Sequence, residues 1–77
     1  MKEFLERIVK ELVDKPDEVS ISPVESERTI IYELRVGDGD LGKVIGKHGR
    51  TAQAIRTIMS AISAKEGGKR ALLEIVE

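Results

Sequence analysis

Five of the seven glycines lie within residues 37–49, and no continuous helix or strand runs through such a stretch without a heavy entropic cost. It divides the 77-residue chain into two short halves, each of which must build its own elements and then pack on the other. A domain of this size buries only about 60% of its unfolded surface. A doubly wound sheet, a barrel or a two-domain enzyme with a substrate cleft does not fit, and the expectation is one small domain over residues 1–77.

Before the glycines, Phe4, Leu5, Ile8, Val9, Leu12 and Val13 recur at three- and four-residue spacing among charges. That spacing predicts an amphipathic helix over about 2–14, stopped by Lys15-Pro16-Asp17. Val19 to Val24 is short, partly β-branched and contains Pro23, so it reads as an edge strand. Glu25-Ser26-Glu27 supplies a turn. From Arg28 to Val36 the pattern has period two, with Ile30, Tyr32, Leu34 and Val36 on one face and Thr29, Ile31, Glu33 and Arg35 on the other.

Within the glycine stretch, Asp40 is placed to cap a short helix, Leu41–Ile45. After it, a long helix is expected over about Arg50–Ala64, with Ile55, Ile58, Met59 and Ile62 on its apolar face and Gly67-Gly68 at its end. Ala71, Leu73 and Ile75 alternate in a last strand. The class is α+β, in the order α-β-β-α-α-β, with the helices packed on one face of a three-stranded sheet.

Charge is unevenly spread. Residues 1–40 hold six basic and eleven acidic side chains, whereas residues 41–70 hold seven basic and one acidic. A basic block following the glycines suggests an anionic partner. There is no cysteine, so thiolate chemistry, thiolate zinc sites and disulfides are excluded. His48 is the only histidine, and no nucleophile–base pair, carboxylate dyad or metal cluster is identifiable. Neither catalysis, nor a metal, nor a cofactor is expected. The apolar runs are far shorter than the roughly 20 residues needed to span a bilayer, and the first fifteen residues lack a signal peptide's apolar block. A soluble cytoplasmic protein without membrane contact is expected.

Several glycine motifs compete for residues 37–49. Gly37-x-Gly39-x-x-Gly42 matches the dinucleotide fingerprint literally, but Asp38 and Asp40 would put carboxylates where the pyrophosphate belongs. A phosphate-binding P-loop fails because three residues, not four, separate Gly42 from Gly46, and His48 stands where a hydroxyl should follow the lysine. Asp38-Gly39-Asp40 lacks the remaining ligands of a calcium loop. Gly46-Lys47-His48-Gly49 is different. It sits between two helices, at the positive N-terminal end of the second, with Lys43, Lys47, His48 and Arg50 crowded around it. In isolation such a tetrad also suits an ordinary helix–turn–helix bend with solvated lysines.

The wider segment Val44-Ile45-Gly46-Lys47-His48-Gly49-Arg50, followed by Ala52, Ala54-Ile55 and Ile58, resembles the signature of a KH domain. The element order resembles the type II, bacterial form of that fold. The run from Leu41 to Ala52 is similar to that of the small bacterial KH proteins of the KhpA (YlqC) type, which usually stand alone as one domain. The resemblance implies a non-enzymatic binder of single-stranded RNA, with the 46–49 loop clamping the backbone of about four nucleotides. It implies that Gly46 and Gly49 admit phosphate and that Lys47 and His48 are the variable pair between them. It further implies that Val44 and Ile45 line the apolar edge of a base groove, Ile45 having a core position as its alternative. Ile31 of the central strand is a weaker candidate for the opposite side. Lys43 and Arg50, from the basic cluster itself, pair with phosphates; Arg56, Lys65, Lys69 and Arg70 read as solvated surface.

A clamp that holds backbone, with four bases in a shallow groove, predicts low sequence specificity. From the same resemblance follow an RNA-chaperone or post-transcriptional role, a homodimer, and a heterodimer with a larger KH-containing protein of the KhpB (Jag) type. A rival reading from another class is a protein-binding adaptor, for which the acidic first forty residues suit a basic partner.

Overall fold

Alternation around Tyr32 forms the middle of the molecule. The computed structural model describes residues 1–77. Its elements are helix α1 (Lys2–Leu12), strands β1 (Ser20–Glu25) and β2 (Thr29–Arg35), helices α2 (Leu41–Ile45) and α3 (Arg50–Glu66), and strand β3 (Arg70–Ile75). Single 3₁₀ turns occupy Pro16–Glu18 and Lys47–Gly49. β2 is central, antiparallel to β1 and parallel to β3, so the sheet is mixed and ordered β1-β2-β3. The parallel pair requires a crossover, and α2 and α3 supply it. Pro23 lies on the edge strand β1, where its missing N–H costs no ladder bond.

Register sorts the sheet into two faces. Ile21, Leu34 and Ile75 share one cross-strand row and Pro23, Tyr32 and Leu73 the next, all facing the helices. The opposite face carries Val24, Ile31 and Leu72 in one row and Ser22, Glu33 and Glu74 in another. Leu5 and Val9 of α1, Val44 of α2, and Ile55 and Met59 of α3 close over the first face in one buried cluster. Each such side chain, fully buried, contributes about 1.5–3 kcal/mol before chain entropy is set against it. No helix is long and apolar enough to cross a membrane.

Three expectations are corrected. α1 stops at Leu12 rather than near residue 14, because Val13 turns to extended geometry (φ −100°, ψ 161°) and drops its side chain into the core. Asp40 occupies the N-cap position of α2 without a side-chain capping bond. Its carboxylate, 2% exposed, instead accepts from the backbone N–H groups of Asp14 (3.2 Å) and Lys15 (2.9 Å), tying the exit of α1 to the entry of α2. Ile58 is exposed rather than on the apolar face: the buried line of α3 runs through Ala52, Ile55 and Met59, and Ile58 lies to one side of it.

Candidate nucleic-acid interface

The two glycines of the 46–49 loop do different work. Gly46 has φ +79° and ψ 170°, a region essentially closed to side chains. A β-carbon there would also lie 2.6 Å from Thr51 Cβ and 2.8 Å from Thr51 N, so the first turn of α3 packs directly onto the bare Cα. Gly49 is left-handed (φ +73°) and caps α3, but nothing lies within 4 Å of where its β-carbon would be. The close approach at Gly46 is therefore internal, and the surface open to a phosphate is that of Gly49.

Between them, Lys47 and His48 stand exposed on the 3₁₀ turn, closed by Gly49 N–H donating to Gly46 O at 3.1 Å. As its first two residues, they have no acceptor for their own N–H groups inside the turn, and no other backbone carbonyl takes them up. His48 is the only non-glycine residue with positive φ (58°). That conformation projects its side chain outward at an energetic cost of about 1–2 kcal/mol.

Charge reinforces this geometry. Ion pairs join Glu6 to Lys10, Asp14 to Lys43, and Glu25 to Lys69, leaving Lys47, His48 and Arg50 without a carboxylate partner. Lys43 is held by Asp14 at 3.3 Å, an exposed pair that a phosphate can displace at little cost. The loop thus presents three uncompensated basic side chains, free amide groups and the positive end of the 17-residue helix α3 in one place.

The apolar pair is sorted opposite to the alternative left open by sequence. Val44 has no exposed surface and belongs to the core cluster, which corrects its placement on a base groove. Ile45 is partly exposed beside the loop. A five-residue helix carrying adjacent apolar residues aims only one of them at the sheet, and here it is Val44. Ile31 faces the open side of the sheet, away from the helices, and so cannot wall a groove beside α3.

A groove beside α3 does exist along the free edge of β3. A depression of about 180 Å³ is lined by Arg56 and Ser60 of α3 and by Arg70, Leu72 and Leu73 of β3. Arg56 Nη2 donates to Leu73 O at 3.4 Å, bridging helix and strand across the outward-facing edge of the sheet. Arg56 and Arg70 are exposed, as the sequence suggests, but their meeting at one groove was not legible. It arises from the parallel β2–β3 pairing, which leaves β3 at the edge beside α3 and brings residues 17 apart in the chain together.

The family described as KhpA/KhpB, KH domain, matches residues 2–75. The RNA-binding protein KhpA of Chlamydia trachomatis is 54% identical over 77 residues, spanning 100% of this chain and 97% of that protein. KhpA of Clostridium acetobutylicum is 55% identical over 76 residues, spanning 99% of this chain and 100% of its own length. KhpA of Aquifex aeolicus is 52% identical over 77 residues, spanning 100% of this chain and 96% of that protein. No solved structure matches.

Proposed function

This chain belongs to the KhpA/KhpB KH-domain family, and from that premise we propose that it is a non-enzymatic protein that binds single-stranded RNA at the Gly46–Gly49 loop. One observation carries the reading: Lys47, His48 and Arg50, all free of carboxylate partners, surround an open glycine and free amide groups at the start of α3. Residues 1–77 act as one KH domain. The strand's phosphates lie on the loop, with Lys43 released from Asp14 to join them, and its bases extend past Ile45 toward the edge of β3. Contacts to backbone carry no sequence information, so selectivity is low. An RNA-chaperone or post-transcriptional role suits such a module. One domain offers a small footprint, so a homodimer, or a heterodimer with a KhpB-type protein, raises affinity by holding a second site nearby.

The adaptor reading has one observation in its favour. The open sheet face aligns Val24, Ile31 and Leu72 in a single row, with Val24 and Leu72 among the most exposed large apolar side chains. A second KH domain seated there would make self-association the primary activity.

Fluorescence anisotropy with short single-stranded RNAs at 50 and 200 mM salt tests both readings. Wild type is compared with Lys47→Asp/His48→Asp, a variant that keeps both glycines and places at 48 a residue tolerant of left-handed geometry. If three phosphates are neutralised, affinity falls about 20-fold between the two salts. The folded variant should lose at least tenfold at low salt. Equal binding by both proteins, or none by wild type, would reject the loop as the RNA site and favour the adaptor.

A further inference from the structure

Beyond the end of the α3–β3 groove lies a cavity that the loop does not reach. It has a volume of about 140 Å³ and sits between Met1, the starts of β2 and β3, and the last turn of α3. Tyr32, Ser63, Glu66 and Lys69 supply its polar wall, Ile30 and Ala71 its apolar floor. The cavity is well short of the about 300 Å³ at which drug-sized ligand pockets begin, and it suits the edge of one planar ring. A depression beneath Ser60 and Arg70 shares Ser63, Gly68 and Ala71 with it, making a continuous path from the groove at Arg56.

Two of its polar groups are open to a ligand. The Tyr32 ring is buried, while its hydroxyl opens on the cavity, accessible to solvent, and makes no hydrogen bond within the chain. Burial, then the nearby carboxylates of Glu66 and Glu25, raise its pKa above 10.0, so at neutral pH it is an unoccupied donor. Glu66 has no basic partner and is an unoccupied acceptor. Lys69, by contrast, is taken: its ammonium lies 2.6 Å from Glu25 Oε2, while its carbonyl accepts from Ser63 Oγ at 2.8 Å. The pocket therefore presents one free donor and one free acceptor on a frame fixed by other bonds.

We propose that this cavity is a base-selecting subsite for the strand in the α3–β3 groove, taking an adenine or cytosine whose exocyclic amino group donates to the Glu66 carboxylate and whose adjacent ring nitrogen accepts from the Tyr32 hydroxyl. The inference rests on the RNA-binding reading above. Uracil lacks the amino group and would turn a carbonyl oxygen toward the carboxylate. A pair of well-formed base-edge contacts discriminates by about tenfold.

The test uses the full chain with eight-nucleotide oligouridylate and with the same oligomer carrying a single adenosine or cytidine at successive positions. Two readouts are followed: anisotropy, and the intrinsic emission of Tyr32, which is the only tyrosine in a chain without tryptophan. Wild type should prefer an oligomer with adenosine or cytidine at one position by about tenfold, and that oligomer alone should change the tyrosine emission. In Glu66→Ala and in Tyr32→Phe the ratio between oligomers should fall to about one, and the ratio cancels any general effect of removing a charge near RNA. Glu66 lies on an exposed helix end, so its variant remains informative if Tyr32→Phe fails to fold. Equal wild-type affinity for all oligomers, or an unchanged ratio in Glu66→Ala, would overturn the subsite while leaving the loop as the RNA site. Failure to bind any oligomer would overturn the RNA reading, and the subsite with it.

Discussion

Replacing each loop glycine by alanine separates folding from binding, because the two positions differ in what surrounds them. At Gly46 the alanine must hold φ +79° and ψ 170°, at a cost of about 1–3 kcal/mol. It must also displace the backbone nitrogen of Thr51, 2.8 Å from the new methyl, and overpacking of that kind costs about 1–3 kcal/mol. Together these make about 2–6 kcal/mol, against a total stability of about 4–12 kcal/mol for a chain of 77 residues. At Gly49 the methyl meets nothing, and only the left-handed penalty of about 1 kcal/mol applies, partly offset by the stiffer unfolded chain. Thermal and urea unfolding, each followed by circular dichroism at 222 nm, measure both. Gly46→Ala should lose more than about 8 °C in Tm or fail to fold, and Gly49→Ala no more than about 8 °C. Adding Thr51→Ala to Gly46→Ala should recover less than half of the loss, since it removes Oγ1 and leaves Thr51 N in place. Folded Gly49→Ala should still bind RNA less tightly, its methyl lying where phosphate approaches. Similar losses at both positions, or a Gly46→Ala protein within about 0.5 kcal/mol of wild type, would refute the division of labour.

Two further outcomes follow from buried polar groups. Asp40→Ala should cost about 2–4 kcal/mol, since the Asp14 and Lys15 amides lose a charged acceptor, and Asp40→Asn should cost about half as much; urea midpoints decide. Tyr32, whose phenol pKa is raised by burial and then by Glu66 and Glu25, should titrate at 295 nm with a midpoint above 10.0. The unfolded chain then ionises first, so this contribution to stability is intact below about pH 9 and is lost as pH rises through 10 and above, a loss that Tyr32→Phe should abolish.

Elements governed by local pattern were legible in the sequence, and positions governed by tertiary geometry were not. The alternation at Ile30, Tyr32 and Leu34 requires a strand wherever it sits, and Gly46 and Gly49 mark a bend whatever packs on it. Asp40 shows the limit: its side chain is equally suited to capping α2 or to meeting the amides of Asp14 and Lys15, and only the approach of α1 decides. Val44 and Ile45 are adjacent and both apolar, so their assignment depends on the rotation of a five-residue helix. Ile58 fits the apolar spacing of α3 but falls outside the arc that the sheet covers. The groove at Arg56 and Arg70 exists only through a contact between α3 and β3, and no single stretch of sequence contains it.

The parallel pairing of β2 with β3 has a consequence in time. β1 and β2 are joined by a three-residue turn (26–28), whereas β2 and β3 are separated by residues 36–69. Closing the longer connection costs about 2 kcal/mol more in loop entropy, so the hairpin can form early and β3 must join late. A late-joining strand has few native contacts in the transition state; substitutions in β3 should then accelerate unfolding while leaving the refolding rate nearly unchanged. Partial opening would begin at the same strand, baring the ladder of β2 to any neighbouring chain. The walls of the α3–β3 groove would be the last surface assembled and the first dismantled, and RNA lodged against them would act as a brake on the opening that leads to aggregation.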